Sequence, residues 1–240
     1  MSERAARRGS TTARTALFIQ HSDRTPPVLL DEWCAANAID LRVHRIWERG
    51  PLPSLDGHAF LVTAGSAYTP NDVNVRDVRD ELHLVDRALD RELPVLGLCF
   101  GAQVLAVVLG GTVHRLDTPE LGWYEVDSTD PGVARGPWLQ WHYSGFDRPP
   151  EVEQLATSPA GCQVFRHGTS LGVQFHPEST LTEVEGWARN DAERLRDRGI
   201  DGLKRLSDGR HHADTARRAA FALFDSFGRW SNVTYSSEAA

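Results

Sequence analysis

Leu93-Pro94-Val95-Leu96-Gly97-Leu98-Cys99-Phe100-Gly101-Ala102-Gln103-Val104-Leu105-Ala106-Val107-Val108-Leu109 joins two apolar runs through a glycine-flanked cysteine. The first run is short enough for a buried strand. The second follows the cysteine directly and reads as a helix. A cysteine at such a strand–helix apex projects its sulfur away from the turn, and the helix N-terminus behind it favours the thiolate. Gly97 and Gly101 belong there because bulky side chains would clash where strand and helix converge. A buried cysteine is often only a small hydrophobe. The flanking glycines and a second motif downstream favour a nucleophile instead.

That second motif is Leu171-Gly172-Val173-Gln174-Phe175-His176-Pro177-Glu178, with His176 seventy-seven residues beyond Cys99. Val173 and Phe175 alternate as in a strand, which Pro177 ends because proline cannot continue a ladder. His176 then sits at a strand end facing a pocket, and Glu178 can turn back to orient its ring. A thiol needs a base, and the base needs a third group to fix its tautomer. Cys99, His176 and Glu178 supply the three in chain order.

Outward from Cys99, strand-like and helical patterns alternate. Residues 16–20, 41–47 and 59–63 read as strands, and 27–38 as a helix. Over 74–90, Val75, Val78, Leu82, Val85 and Leu89 recur at spacings of three and four, predicting an amphipathic helix. This alternation implies an α/β fold: a mostly parallel central sheet flanked by helices. Residues 112–175 change to short strands separated by proline and glycine, predicting a small antiparallel extension. Helical patterns return over 183–198 and 214–229. One domain over 15–230 is expected, with a disordered tail at 1–14 and a flexible one at 231–240.

The strand–Cys–helix stretch with His176-Pro177-Glu178 resembles the class I, or triad, glutamine amidotransferases. Within them the chain is most similar to stand-alone domains resembling the amidotransferase half of GMP synthase. The resemblance runs from about Ala16 to at least Glu178, and it implies that family's fold. It also implies that Gln103, one helical turn after Cys99, contacts the substrate glutamine. In related domains a Trp-His segment lines the glutamine pocket, which here points to Trp141, His142, Tyr143 and Ser144. Relatives often carry an acidic residue near Ser144, and its absence leaves recognition of the α-amino group open. Trp138 reads as packing.

Thiolate attack creates an oxyanion that needs preformed donors. One is expected from the backbone N–H of Phe100, the other from Gly65 in the loop Ala64-Gly65-Ser66-Ala67. The family usually has a Gly-Gly-Pro or Gly-Pro-Gly loop here, so the donor can shift by one residue. An ordinary glycine turn after a strand is the other reading of Gly65.

Composition limits the alternatives. A net charge of −7, with Lys204 the only lysine, argues against a nucleic-acid surface. No apolar run reaches membrane-span length. Residues 1–14 are Arg-, Ser- and Thr-rich without a hydrophobic stretch long enough for a signal peptide. Three cysteines without metal-ligand spacing fit a reducing, cytoplasmic setting with one reactive thiol. Cys34, in a helix, and Cys162, in the turn with Pro159-Ala160-Gly161, are read as bystanders. Neighbours His211 and His212 point to different helix faces and make no metal site. No metal or organic cofactor is expected.

Two reactions remain open. In the first, Cys99 cleaves glutamine and ammonia passes to a separate synthetase docked over a mouth bordered by 66–71 and 138–146. In the second, the same triad hydrolyses a γ-glutamyl conjugate and the released amine is itself the product. A regulatory relative would be expected to have a broken triad, and this one is intact.

Overall fold

The computed structural model describes residues 14–48 and 50–233. Its main sheet has eight strands. In chain order these are β1 (Arg14–Gln20), β2 (Ile39–Arg45), β3 (His58–Thr63), β4 (Val95–Leu98), β6 (Asp127–Ser128), β8 (Glu153–Ser158), β9 (Gly161–His167) and β10 (Ser170–Val173). Their spatial order is β2-β1-β3-β4-β10-β9-β8-β6. The first five in that order run parallel, and β9, β8 and β6 continue antiparallel. A separate antiparallel ribbon pairs β5 (Val113–Tyr124) with β7 (Trp138–Phe146). The expected antiparallel extension is therefore two things: a continuation of the main sheet and a ribbon beside it.

Alternation along the central strands assigns their two faces. Phe18, Phe60 and Val62 join Trp33 of α1 (Val28–Ala36) and Phe224 and Phe227 of α7 (Ala213–Trp230) in one core. Leu17, Ile19 and Leu61 enter a second core with Val85 of α2 (Arg76–Asp90) and Val104 of α3 (Phe100–Val108). Covering both faces keeps the parallel strands dry, as their near-continuous apolar sequence requires. A third, smaller core joins the ribbon to α4 (Leu181–Asn190) and α6 (Gly202–Asp208).

Several sequence readings shift. Arg14, placed in the tail, pairs with Ile39 in the sheet; residues 1–13 lie outside the described residues. At the other end Ser231 and Val233 are buried, and 234–240 lie outside the described residues. Val75 precedes α2 with extended backbone. The helix expected over 183–198 divides at Asp191 into α4 and α5 (Ala192–Arg196). There the Asp191 carboxylate accepts from Trp141 Nε1 at 3.3 Å and Tyr143 Oη at 3.0 Å, tying the helix junction to β7. Helix α6 is short and lacks a sustained period. Cys162 lies in β9, not in the preceding turn.

The strand–helix junction at Cys99 rests on close backbone approach. A Cβ on Gly97 would stand 2.5 Å from Gly101 O, and one on Gly101 only 2.1 Å from Thr63 O. Neither neighbour is a side chain that can swing away. Gly101→Ala is accordingly expected to destabilise the protein by at least about 3 kcal/mol. Gly186→Ala, in α4 with nothing within 4 Å of the added carbon, should gain about 0.5–1 kcal/mol. Urea-denaturation midpoints of the two variants check this; equal midpoints would show that the junction is not tightly packed.

Candidate active site

Four parallel strands end on one side of the sheet, and the residues just beyond those ends converge: His21 after β1, Gly65 after β3, Cys99 after β4, and Gln174 to His176 after β10. Carboxyl ends of parallel strands are where open α/β sheets form their crevices. The crevice here has a volume of about 570 Å³.

Cys99 sits at φ 52°, ψ −105°, between the end of β4 and the first residue of α3. Its amide N–H donates to Val173 O at 2.8 Å, locking the apex to β10. Phe100, as the first helical residue, has an N–H without an intrahelical acceptor. Gly65 lies against both other groups: an added Cβ would meet His176 Cε1 at 3.0 Å and Cys99 Cβ at 3.9 Å. A side chain there would press directly on the histidine ring.

His176 follows β10, held by donation of its N–H to Leu139 O of β7 at 2.9 Å. Its Nδ1 lies 2.8 Å from Glu178 Oε1. A carboxylate there makes Nδ1 the protonated nitrogen. Nε2 is buried with no hydrogen-bond partner among the described residues. Burial lowers the histidine's proton affinity, but the charges of Cys99 and Glu178 outweigh it and raise its pKa to about 10. The ring of Trp187, from α4, packs edge-on against His176 at 4.7 Å, fixed by its own Nε1 donating to Arg24 O.

Behind the sulfur runs a buried amide chain. Gln174 Nε2 donates to Cys99 Sγ at 3.6 Å. Gln103 Nε2 donates to Gln174 Oε1 at 3.2 Å and to Ser144 O at 3.1 Å. Gln103 thus reaches the cavity wall with its amide nitrogen committed, leaving Oε1 to accept from a ligand. Ser144 O also accepts from His142 Nδ1 at 3.0 Å, while His142 Nε2 lies 2.9 Å from Glu120 Oε2. Burial opposes the charged form of Glu120, but His142, Ser158 and Gln163 hold it below the ordinary carboxylate range. Both His142 nitrogens are therefore occupied in the wall. Next to Phe100, the buried His21–Glu81 pair sets the histidine ring edge-on at 5.0 Å.

Cys99, His176, Gly65, Phe100, Gln103, Trp141, His142, Tyr143 and Ser144 all line the one cavity, and Glu178 stands behind His176. Trp138 instead stacks on Phe175 at 4.3 Å in the core. Gln174, Trp187 and His21 had no role in the sequence reading. Gln174 was within reach of it, two residues before His176 on the same side of an extended segment. Trp187 and His21 carry no local pattern that marks them. Among the described residues no group of three His, Cys, Asp or Glu could hold a metal ion, and no helix is long and apolar enough to cross a membrane.

The profile of the family described as glutamine amidotransferase class-I matches residues 59–192. The GMP synthase [glutamine-hydrolyzing] of Aeropyrum pernix is 40% identical over 145 residues, covering 55% of this chain and 28% of that synthase's length. The putative glutamine amidotransferase-like protein YfeJ of Salmonella typhimurium is 27% identical over 198 residues, 75% of this chain and 82% of that one. The solved glutamine amidotransferase of Methylobacillus flagellatus superimposes with a TM-score of 0.81 at 22% identity, covering 95% of this chain and 99% of that chain. That of Thermotoga maritima gives 0.79 at 23%, covering 90% and 98%.

Proposed function

Since the chain belongs to the class I glutamine amidotransferase family, we propose that it cleaves the γ-carboxamide of glutamine and passes the ammonia to a separate acceptor enzyme. The observation that carries this reading is the placement of Cys99, at the apex after β4, beside a His176 whose Nδ1 is held by Glu178.

The Cys99 sulfur attacks the γ-carbonyl carbon; a C–S bond forms and the carbonyl electron pair moves to oxygen. The N–H groups of Phe100 and Gly65 are the proposed donors to that oxyanion. His176 Nε2 gives its proton to the departing nitrogen, the C–N bond breaks, and ammonia leaves a γ-glutamyl thioester. Water then attacks, giving a proton to His176, and collapse expels the thiolate with glutamate as product. Glu178 holds the imidazole tautomer and steadies its positive charge throughout. Gln103 Oε1 is placed to accept from the α-ammonium group.

A second reading, hydrolysis of a γ-glutamyl conjugate by the same residues, is favoured by the size of the cavity, which exceeds what a free amino acid fills. The experiment that separates the two offers purified protein glutamine and a panel of γ-glutamyl amines and measures released ammonia or amine. Weak glutaminase activity is expected, rising when an acceptor synthetase is present. Turnover of a γ-glutamyl amine with glutamine untouched at millimolar levels would establish the hydrolase and remove the partner.

A further inference from the structure

Three arginines surround one aromatic ring at the rim of the cavity. The guanidinium carbons of Arg194, Arg115 and Arg198 lie 4.9, 5.5 and 5.8 Å from the ring centroid of Tyr143. They come from separate places in the chain: Arg115 from β5, Arg194 from α5 and Arg198 from the turn that follows it. None forms an ion pair with a carboxylate among the described residues; nine other arginines do, while Arg79 and Arg148 donate to backbone carbonyls instead. The acids on the same cavity are Asp23 and Asp191. Asp191 is taken up by Tyr143 and Trp141, and Asp23 lies on the β1–α1 loop beside Arg24.

Arg115, Arg194 and Arg198 are exposed, so solvent softens their mutual repulsion, and an anion held between them would relieve what remains. Arg194 also hydrogen-bonds the Tyr143 side chain, and since a guanidinium carries five N–H donors, donors remain on each arginine for a carboxylate. Arg115 and Arg194 both line the cavity that holds Cys99, so they address a small molecule inside it more than a protein surface outside.

We infer that Arg115 and Arg194, reinforced by the charge of Arg198, form a carboxylate-binding subsite for the substrate of Cys99. This rests on the γ-glutamyl substrate class proposed above. Two carboxylates fit that chemistry: the α-carboxylate of the glutamyl unit, or one carried by the amine attached to it.

Binding in the Cys99→Ala background tests the subsite without requiring turnover. The ligands are L-glutamine and its α-amide, then γ-L-glutamylglycine and γ-L-glutamylmethylamide, with Kd measured by calorimetry. In the Arg115→Gln/Arg194→Gln protein, a carboxylate-bearing ligand is expected to bind about tenfold more weakly. Within the pair that differs in that carboxylate, the member lacking it should change less than about twofold. Loss with glutamine but not its amide assigns the α-carboxylate. Selective loss with γ-glutamylglycine alone assigns the carboxylate of the amine. Equal loss within both pairs, no loss in either, or no binding to the intact rim overturns the subsite. Amide cleavage by protein retaining Cys99 is followed in parallel. Cleavage without discrimination sinks the subsite alone, whereas discrimination without any cleavage sinks the proposed reaction alone.

Discussion

Replacing Cys99 with glycine is expected to stabilise the protein by about 1 kcal/mol while abolishing amide cleavage. At φ 52°, ψ −105° a side chain is strained, a cost on the order of 1–3 kcal/mol. Glycine removes that strain at an entropic cost of about 0.5–1 kcal/mol. Cys99→Ala keeps the strain, so it should lose activity with stability nearly unchanged. Loss of turnover on the order of 10⁴-fold or more is expected for both variants. The other cysteines offer no substitute: burial pushes the thiols of Cys34 and Cys162 up to about 12. An electrophilic glutamine analogue should label Cys99 alone. Thermal melts and mass-spectrometric mapping test the two halves independently. Labelling of Cys34 or Cys162 with Cys99 untouched would reject Cys99 as the nucleophile, and a Cys99→Gly protein less stable than Cys99→Ala would reject the strain.

The second large effect concerns His176. His176→Ala should be nearly as damaging as loss of Cys99, and the double variant no worse than either, because the groups act as a unit. Glu178→Gln should keep partial activity, since an amide oxygen can still accept from Nδ1 but carries no charge. The pH profile carries the same information. Cleavage of the C–N bond needs the protonated ring, so kcat/KM should hold through neutrality and fall as pH rises through about 10. In Glu178→Gln that limb should move to lower pH, because one of the charges raising the histidine is gone. The sign for stability is the same: the raised pKa contributes fully below about 6.5 and is lost as pH climbs to about 10. His142→Ala provides the contrast. It strips the partner from buried Glu120, so it should cost about 3–5 kcal/mol of stability. If His142→Ala stops turnover in folded protein while His176→Ala does not, the base is His142.

The sequence alone determined the α/β alternation, the strand–turn–helix at Cys99 and the family to which these motifs belong. Those features are local or periodic: a glycine spacing dictated by backbone contact, a proline stop, a helical stripe. Tertiary structure alone decided what meets Cys99. Gln174 reaches the sulfur because β10 lies beside β4, a pairing across 75 residues. Gln103 has its amide nitrogen drawn into the wall by Ser144 O and Gln174, a commitment no helical spacing reveals. Asp191 splits a helix because it is tied to β7, and the same tie holds Tyr143 where three arginines gather. Short-range sterics and periodicity are written in neighbouring residues. The site's hydrogen bonds and charges join strand ends far apart in sequence, and only the order of strands in the sheet brings them together.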